Sequence, residues 1–190
     1  SLGNYAVTVY FPAPTVKEHL KGGYPAVIFA PGGKLTKEAY RWIGGRIAHQ
    51  GFIVLIFSVP TKDEFGTKER VEGFKSAISY LTAKNKEPGN VLNGEVETGK
   101  IAVGGHSLGG RSVYEFISGN PKTVTTAFIL SSQCETPEMA KKISIPVQIQ
   151  IGDADTFVKP ENALGSYNDL GSGIKEFLQI SGADHLQFIT

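Results

Sequence analysis

"IAVGGHSLGG", residues 101–110, runs a short apolar segment into a lone serine set among glycines. A buried strand that ends there and a helix that begins at Leu108 would make this a strand-to-helix turn, and the rest of the chain repeats that alternation. "AVIFA" (26–30), "FIVLIFS" (52–58) and "IAVGG" (101–105) are continuous apolar runs, suited to strands covered on both faces. "YAVTVYF" (5–11) alternates and reads as an edge strand, and "TAFIL" (126–130), "PVQIQI" (146–151) and "KEFLQI" (175–180) bring the number to seven. Helices are predicted over Thr36 to His49, Thr67 to Lys84, Leu108 to Ser118 and Glu161 to Leu170. The second places Val71, Phe74, Ile78 and Leu81 on one face, and Gly119-Asn120-Pro121 ends the third. Strands alternating with helices predict an α/β fold, a mostly parallel sheet with helices on both faces.

Composition narrows the function. A chain of 190 residues, 41% hydrophobic, suits one domain (1–190) with a full core. Nineteen basic against eighteen acidic side chains, with no basic run, predict no nucleic-acid partner. A single cysteine, Cys134, excludes an intrachain disulfide, and four scattered histidines lack metal-ligand spacing, so neither metal nor other cofactor is expected. No apolar stretch reaches the ~20 residues of a membrane span. A soluble protein is expected, secreted or cytoplasmic; the chain opens on Ser1, as it would if a leader had been removed. Oligomeric state is not legible.

Two motifs are look-alikes. "GEVETGK" (94–100) has the spacing of a phosphate-binding loop, but Ile101 stands where a magnesium-binding hydroxyl belongs, and the segment leads into a strand instead of a helix. "DAD" (153–155) starts like a calcium loop, yet Phe157 and Val158 occupy positions that need a ligand and a glycine.

Gly105-His106-Ser107-Leu108-Gly109 matches G-x-S-x-G, the turn that lifts a nucleophilic serine above a sheet edge. A neutral hydroxyl is a poor nucleophile, so the chain must also supply a base and an acid that orients it, in that architecture acid first and histidine last. His185, in "SGADHLQF", is the one histidine after Ser107 and follows the seventh strand. Asp153 and Asp155 both follow the sixth strand, and spacing does not separate them; Asp184 ranks third because side chains of consecutive residues diverge. Two amides complete the set: that of Leu108, after the serine, and one from "APGGKL" after the second strand, assigned to Gly33 with Lys34 as the alternative.

"APGG", "GGHSLGG", "GDADTFV" and "GADH" resemble the α/β-hydrolase family over nearly the whole chain. "YPAVIFAPG" followed by "GRIAHQGFIVLI" is similar to the compact branch of dienelactone-hydrolase-like esterases, bacterial cutinases and polyester hydrolases, and platelet-activating-factor acetylhydrolases. The acid of that branch sits in G-x-x-D-x-x-V, matched by Gly152, Asp155 and Val158. The resemblance therefore implies Ser107, Asp155 and His185 as a triad and the amides of Gly33 and Leu108 as an oxyanion hole. There are departures. Dienelactone hydrolases proper use a cysteine nucleophile. Polyester-degrading cutinases place an aromatic where Gly33 stands, a tryptophan in the region of "SSQCETP" (131–137), and a disulfide near the C-terminus. A final helix of the family, beyond His185, has no counterpart in the five residues that follow it here, as in a truncated or a minimal member.

The expected activity is serine carboxylester hydrolysis through an acyl-enzyme, on small or polymeric, cutinase-type esters of short to medium acyl chains, falling on acidification as His185 takes up charge. A thioesterase, peptidase or acyltransferase would share the triad, and a non-catalytic ligand-binding homologue would share the fold. Fourteen residues, 131–144, are too few for a large lid, which predicts an open cleft walled by Lys34, Leu35, Leu108, Ser132, Gln133, Phe157, Val158 and Leu186.

Overall fold

The computed structural model describes residues 3–12, 22–60 and 66–189. Seven strands form one sheet: β1 (Ala6–Tyr10), β2 (Tyr24–Ala30), β3 (Ile53–Ser58), β4 (Val96–His106), β5 (Thr126–Leu130), β6 (Val147–Gly152) and β7 (Lys175–Ile180). Their order is β1-β3-β2-β4-β5-β6-β7. β1 pairs antiparallel with β3 at one edge, and every other pairing is parallel. The helices are α1 (Arg41–His49), α2 (Lys68–Lys84), α3 (Leu108–Gly119), α4 (Pro137–Lys141) and α5 (Pro160–Asp169).

The two-residue period of the strands sorts the core into two layers. From β2 and β3, Ala26, Ile28, Ala30, Ile53, Leu55 and Phe57 face one layer, filled by α2, α3 and α5 through Phe74, Leu81, Val113, Phe116 and Ala163. Val27, Phe29, Val54 and Ile56 face the other, against Tyr40, Ile43 and Ala48. This explains why the inner strands read as unbroken apolar runs: both of their faces are covered. Each fully buried Ile, Leu or Phe here removes enough surface from water to contribute about 1.5–3 kcal/mol.

The structure departs from the expected elements in three places. The helix expected over 36–49 is a 3-10 turn (Lys37–Tyr40) followed by α1. Tyr40 leaves helical geometry (φ −120°, ψ 19°), with its ring buried and its hydroxyl taking the Gly32 N–H. β4 begins five residues earlier than its apolar run, because backbone pairing of Val96 with Tyr24 needs no apolar side chains. Lastly, α4 occupies part of a segment expected as loop. Its signals were in the sequence: Thr136 caps it by accepting from Met139 N–H (3.2 Å), and Pro137 starts it.

The sheet order places the site. From β2 the chain moves outward to β3, then returns to lay β4 on the other side of β2. The loops leaving the C-terminal ends of β2 and β4 therefore diverge and open a crevice between them. Only glycine lets the chain cross there. A Cβ on Gly109 would lie 2.2 Å from the Ala30 carbonyl oxygen, and one on Gly105 would lie 2.4 Å from Gly109 backbone. Gly109→Ala is expected to lower stability by about 2–3 kcal/mol in urea unfolding, since backbone cannot rotate away as a side chain can. Gly119→Ala, in open space at the end of the same helix, should be neutral or slightly stabilising.

Candidate active site

Ser107 is the single residue between β4 and α3. Its backbone lies at φ 54°, ψ −119°, a conformation that costs a non-glycine residue about 1–3 kcal/mol. Ser107 N–H donates to Leu130 O (2.9 Å) on β5, and Arg111 N–H donates to Ser107 O (2.9 Å) on α3, so the strained turn is held from both sides. Leu108 opens α3, and its N–H, in the first turn, has no partner within the helix and points out of the positive end of the helix dipole.

His185 and Asp155 come from the loops after β7 and β6. His185 Nδ1 lies 2.8 Å from Asp155 Oδ2, and both side chains are buried. The other carboxylate oxygen accepts from Phe157 N–H and Val158 N–H, each at 2.9 Å. Burial pushes the Asp155 carboxyl up, but the hydrogen bonds from Val158 N–H and His185 outweigh it and hold its pKa below the usual carboxylate value. An ionised Asp155 places the imidazole proton on Nδ1 and leaves the Nε2 lone pair available as a base. The neighbouring acids have other tasks. Asp153 accepts from Gly182 N–H (2.7 Å), tying together the loops after β6 and β7. Asp184 caps the 3-10 turn His185–Phe188 through Leu186 N–H (2.8 Å).

Ser107, His185, Gly33, Lys34, Leu35, Leu108, Phe157 and Leu186 line one cleft of about 400 Å³. A recess of about 200 Å³ adjoins it, sharing Ser107, Leu108 and Phe157 and adding Arg111, Ser132, Gln133 and Val158. The wall residues expected from the sequence thus fall in two lobes around Ser107, one mainly apolar and one more polar. Phe157 stacks on the His185 ring (centroids 4.9 Å apart) yet is 76% exposed. Among the described residues a larger hollow, about 490 Å³ beside α1 and β5–β6, holds none of these groups.

Sequence reasoning passed over His106, which it treated as the variable position of the motif. Its buried ring joins two loops: Nδ1 is 2.8 Å from Tyr40 Oη, and Nε2 is 2.9 Å from the His185 carbonyl. Because a carbonyl only accepts, the proton sits on Nε2, and Nδ1 receives the tyrosine hydrogen. Burial, with the charge of nearby His185, pushes the His106 pKa down to about 4. Its hydrogen-bond partners, Tyr40 and the His185 carbonyl, lie 66 and 79 residues away along the chain, and no local sequence signal announces the contacts.

A mostly parallel sheet with helices on both faces, carrying a serine at the strand-to-helix turn and a histidine–carboxylate pair on later loops, is the α/β-hydrolase fold. The chain belongs to the PET hydrolase-like family, whose pattern it matches over residues 2–190. It is 27% identical to a bis(hydroxyethyl) terephthalate hydrolase of Streptomyces coelicolor over 181 residues, 94% of this chain and 54% of that protein. It is 28% identical to cutinase 1 of Thermobifida cellulosilytica, over 94% of this chain and 64% of that protein. To a cutinase of Thermobifida fusca it is again 28% identical, over 94% of this chain and 56% of that protein. The chain thus spans between about half and two-thirds of the length of these relatives. Among its described residues no helix is long and apolar enough to cross a membrane.

Two outcomes follow from this geometry. Asp155→Asn should cost ester turnover about 10³-fold or more through loss of the Nδ1 tautomer, while Asp153→Asn should cost less than about tenfold, both read as kcat/KM. For stability, the unfolded chain protonates His106 near pH 6.5 and the folded chain only near 4. Acid therefore favours unfolding between those values, by up to roughly 3 kcal/mol. Urea midpoints should fall from pH 7 to 4.5, and His106→Gln should flatten part of that slope.

Proposed function

We propose that this domain is a serine ester hydrolase that works through an acyl-enzyme, with Ser107 as nucleophile, His185 as base and Asp155 as its orienting acid. The observation that carries the reading is the 2.8 Å contact of His185 with Asp155 in the loops that flank the cleft of Ser107. Ser107 Oγ attacks the ester carbonyl carbon as His185 Nε2 takes its proton, and the carbonyl π electrons move to oxygen. The N–H groups of Gly33 and Leu108 receive that oxyanion, helped by the dipole of α3. Collapse expels the alkoxide, which leaves as an alcohol with the proton from His185. Water, deprotonated by the same Nε2, then attacks the acyl-enzyme and releases the acid. Asp155 stays ionised throughout and stabilises the imidazolium.

The two lobes and the relatives support a substrate class. Those relatives are cutinases and a bis(hydroxyethyl) terephthalate hydrolase, and esters of this kind, small or polymeric, are proposed as substrates for this domain. Among the described residues the segment between β5 and β6 holds only the five-residue α4, which leaves the cleft open. An open apolar lobe of about 400 Å³ suits short to medium acyl groups.

Ser107→Ala should lower hydrolysis of p-nitrophenyl esters by at least about 10³-fold, and a fluorophosphonate should phosphonylate Ser107 Oγ of the native chain with loss of fluoride, read as the mass of the phosphonyl group on that residue. A chain-length series should decline beyond medium acyl groups; unmodified Ser107 with retained turnover would overturn the reading.

A further inference from the structure

The turn that carries Gly33 is Pro-Gly-Gly, and two adjacent glycines leave such a segment free to rotate its peptide planes. An oxyanion donor is effective because it is aimed before the charge develops. Something must therefore hold this turn, and the structure supplies it from two sides.

Arg70, on α2, has no solvent exposure. Its Nε donates to Pro31 O (2.9 Å), Nη2 to Gly32 O (3.0 Å) and Nη1 to Gly66 O (2.6 Å). The described peptide bonds are trans, and in a trans peptide the C=O and the next N–H point in opposite directions. With the Pro31 carbonyl held toward Arg70, the Gly32 N–H must point away from it, and there it donates to Tyr40 Oη (2.9 Å). With the Gly32 carbonyl held the same way, the Gly33 N–H turns away from α2, on the side where Gly33 lines the cleft with Ser107. The Gly32 carbonyl also accepts weakly from Leu35 N–H (3.4 Å), closing a turn in which Lys34 takes φ 59°. Tyr40, having accepted from Gly32, donates to His106 Nδ1, and His106 Nε2–H donates to the His185 carbonyl. A Cβ at position 32 would lie 3.1 Å from both Tyr40 Oη and His106 Nδ1, so a larger residue there would press on both rings.

We infer that Arg70 and Tyr40 are positioning residues for the oxyanion hole: Arg70 holds both peptide planes of residues 31–33 by their carbonyls and Tyr40 holds the first by its N–H, so that the Gly33 N–H is aimed at the cleft before substrate arrives. The inference rests on the proposed role of Gly33. A guanidinium fork suits the task because two of its donors meet two carbonyls in one fixed plane. A lysine ammonium would keep the charge and lose that geometry.

The test uses Arg70→Lys and Tyr40→Phe in the full chain, with kcat and KM on a soluble ester and Ki for an alkyl boronic acid, whose adduct on an activated serine is tetrahedral. Each variant should lose about 10- to 100-fold in kcat, hold KM within about twofold, and weaken boronate binding by a factor similar to the kcat loss. Unchanged kcat would overturn the inference. So would a lower kcat with unchanged Ki, because loss of folded enzyme reduces rate without altering Ki. If Arg70→Lys does not fold, Tyr40→Phe, which removes one oxygen, decides by the same criteria. Ser107→Ala serves as the separate control: an active Ser107→Ala defeats the proposed function, whereas an inactive one beside native-like Arg70→Lys and Tyr40→Phe defeats this inference alone.

Discussion

The contact between α3 and the end of β2 governs the rest of the molecule's chemistry. Glycine at 109 lets the first turn of α3 press against the Ala30 carbonyl, and glycine at 105 lets β4 fold back against α3 without collision. With the helix end brought so close, Leu108 at the start of α3 and Gly33 and Lys34 of the loop after β2 line one crevice with Ser107. Had either glycine a side chain, the helix would have to shift outward and carry Ser107 away from the loop after β2. The strained backbone of Ser107 survives because β5 and α3 hold its N–H and C=O at 2.9 Å each.

Around this crossing the structure buries polar groups that would each be costly alone, and it matches them in sequence. The order runs from Arg70 through the carbonyls of Pro31 and Gly32, from the Gly32 N–H to Tyr40, then to His106 and the carbonyl of His185, whose own ring ends on Asp155. Each donor meets an acceptor, so one tautomer of each histidine satisfies the whole set. The same groups that set the proton positions also join loops following β2, β4, β6 and β7. Loop placement and acid–base chemistry are here one structural problem.

Much of the architecture was legible because its causes are local. Unbroken apolar runs marked β2 and β3 as covered on both faces, alternation marked β1 as an edge, and Gly119-Asn120 marked the end of α3. Where pairing or capping depends on backbone, hydropathy was silent: β4 extends through the polar "VETGK", and α4 is a single turn started by Thr136 and Pro137. Tyr40 interrupts an apparently continuous helix because its hydroxyl is claimed from outside that helix.

By itself, the sequence determined which residue types stood at the ends of which strands: a serine between glycines after the fourth, aspartates after the sixth, a histidine after the seventh, and Pro-Gly-Gly after the second. Those are properties of neighbours along the chain, and periodicity and steric size reveal them. Which aspartate meets the imidazole was a question of orientation. It is Asp155 because Phe157 and Val158 turn their N–H groups onto its other oxygen, while Asp153 faces Gly182. The roles of Arg70 and His106 were decided by tertiary structure, since a buried polar side chain is recognised by its partners: Arg70 reaches Gly32, 38 residues away, and His106 reaches Tyr40 and His185, 66 and 79 residues away.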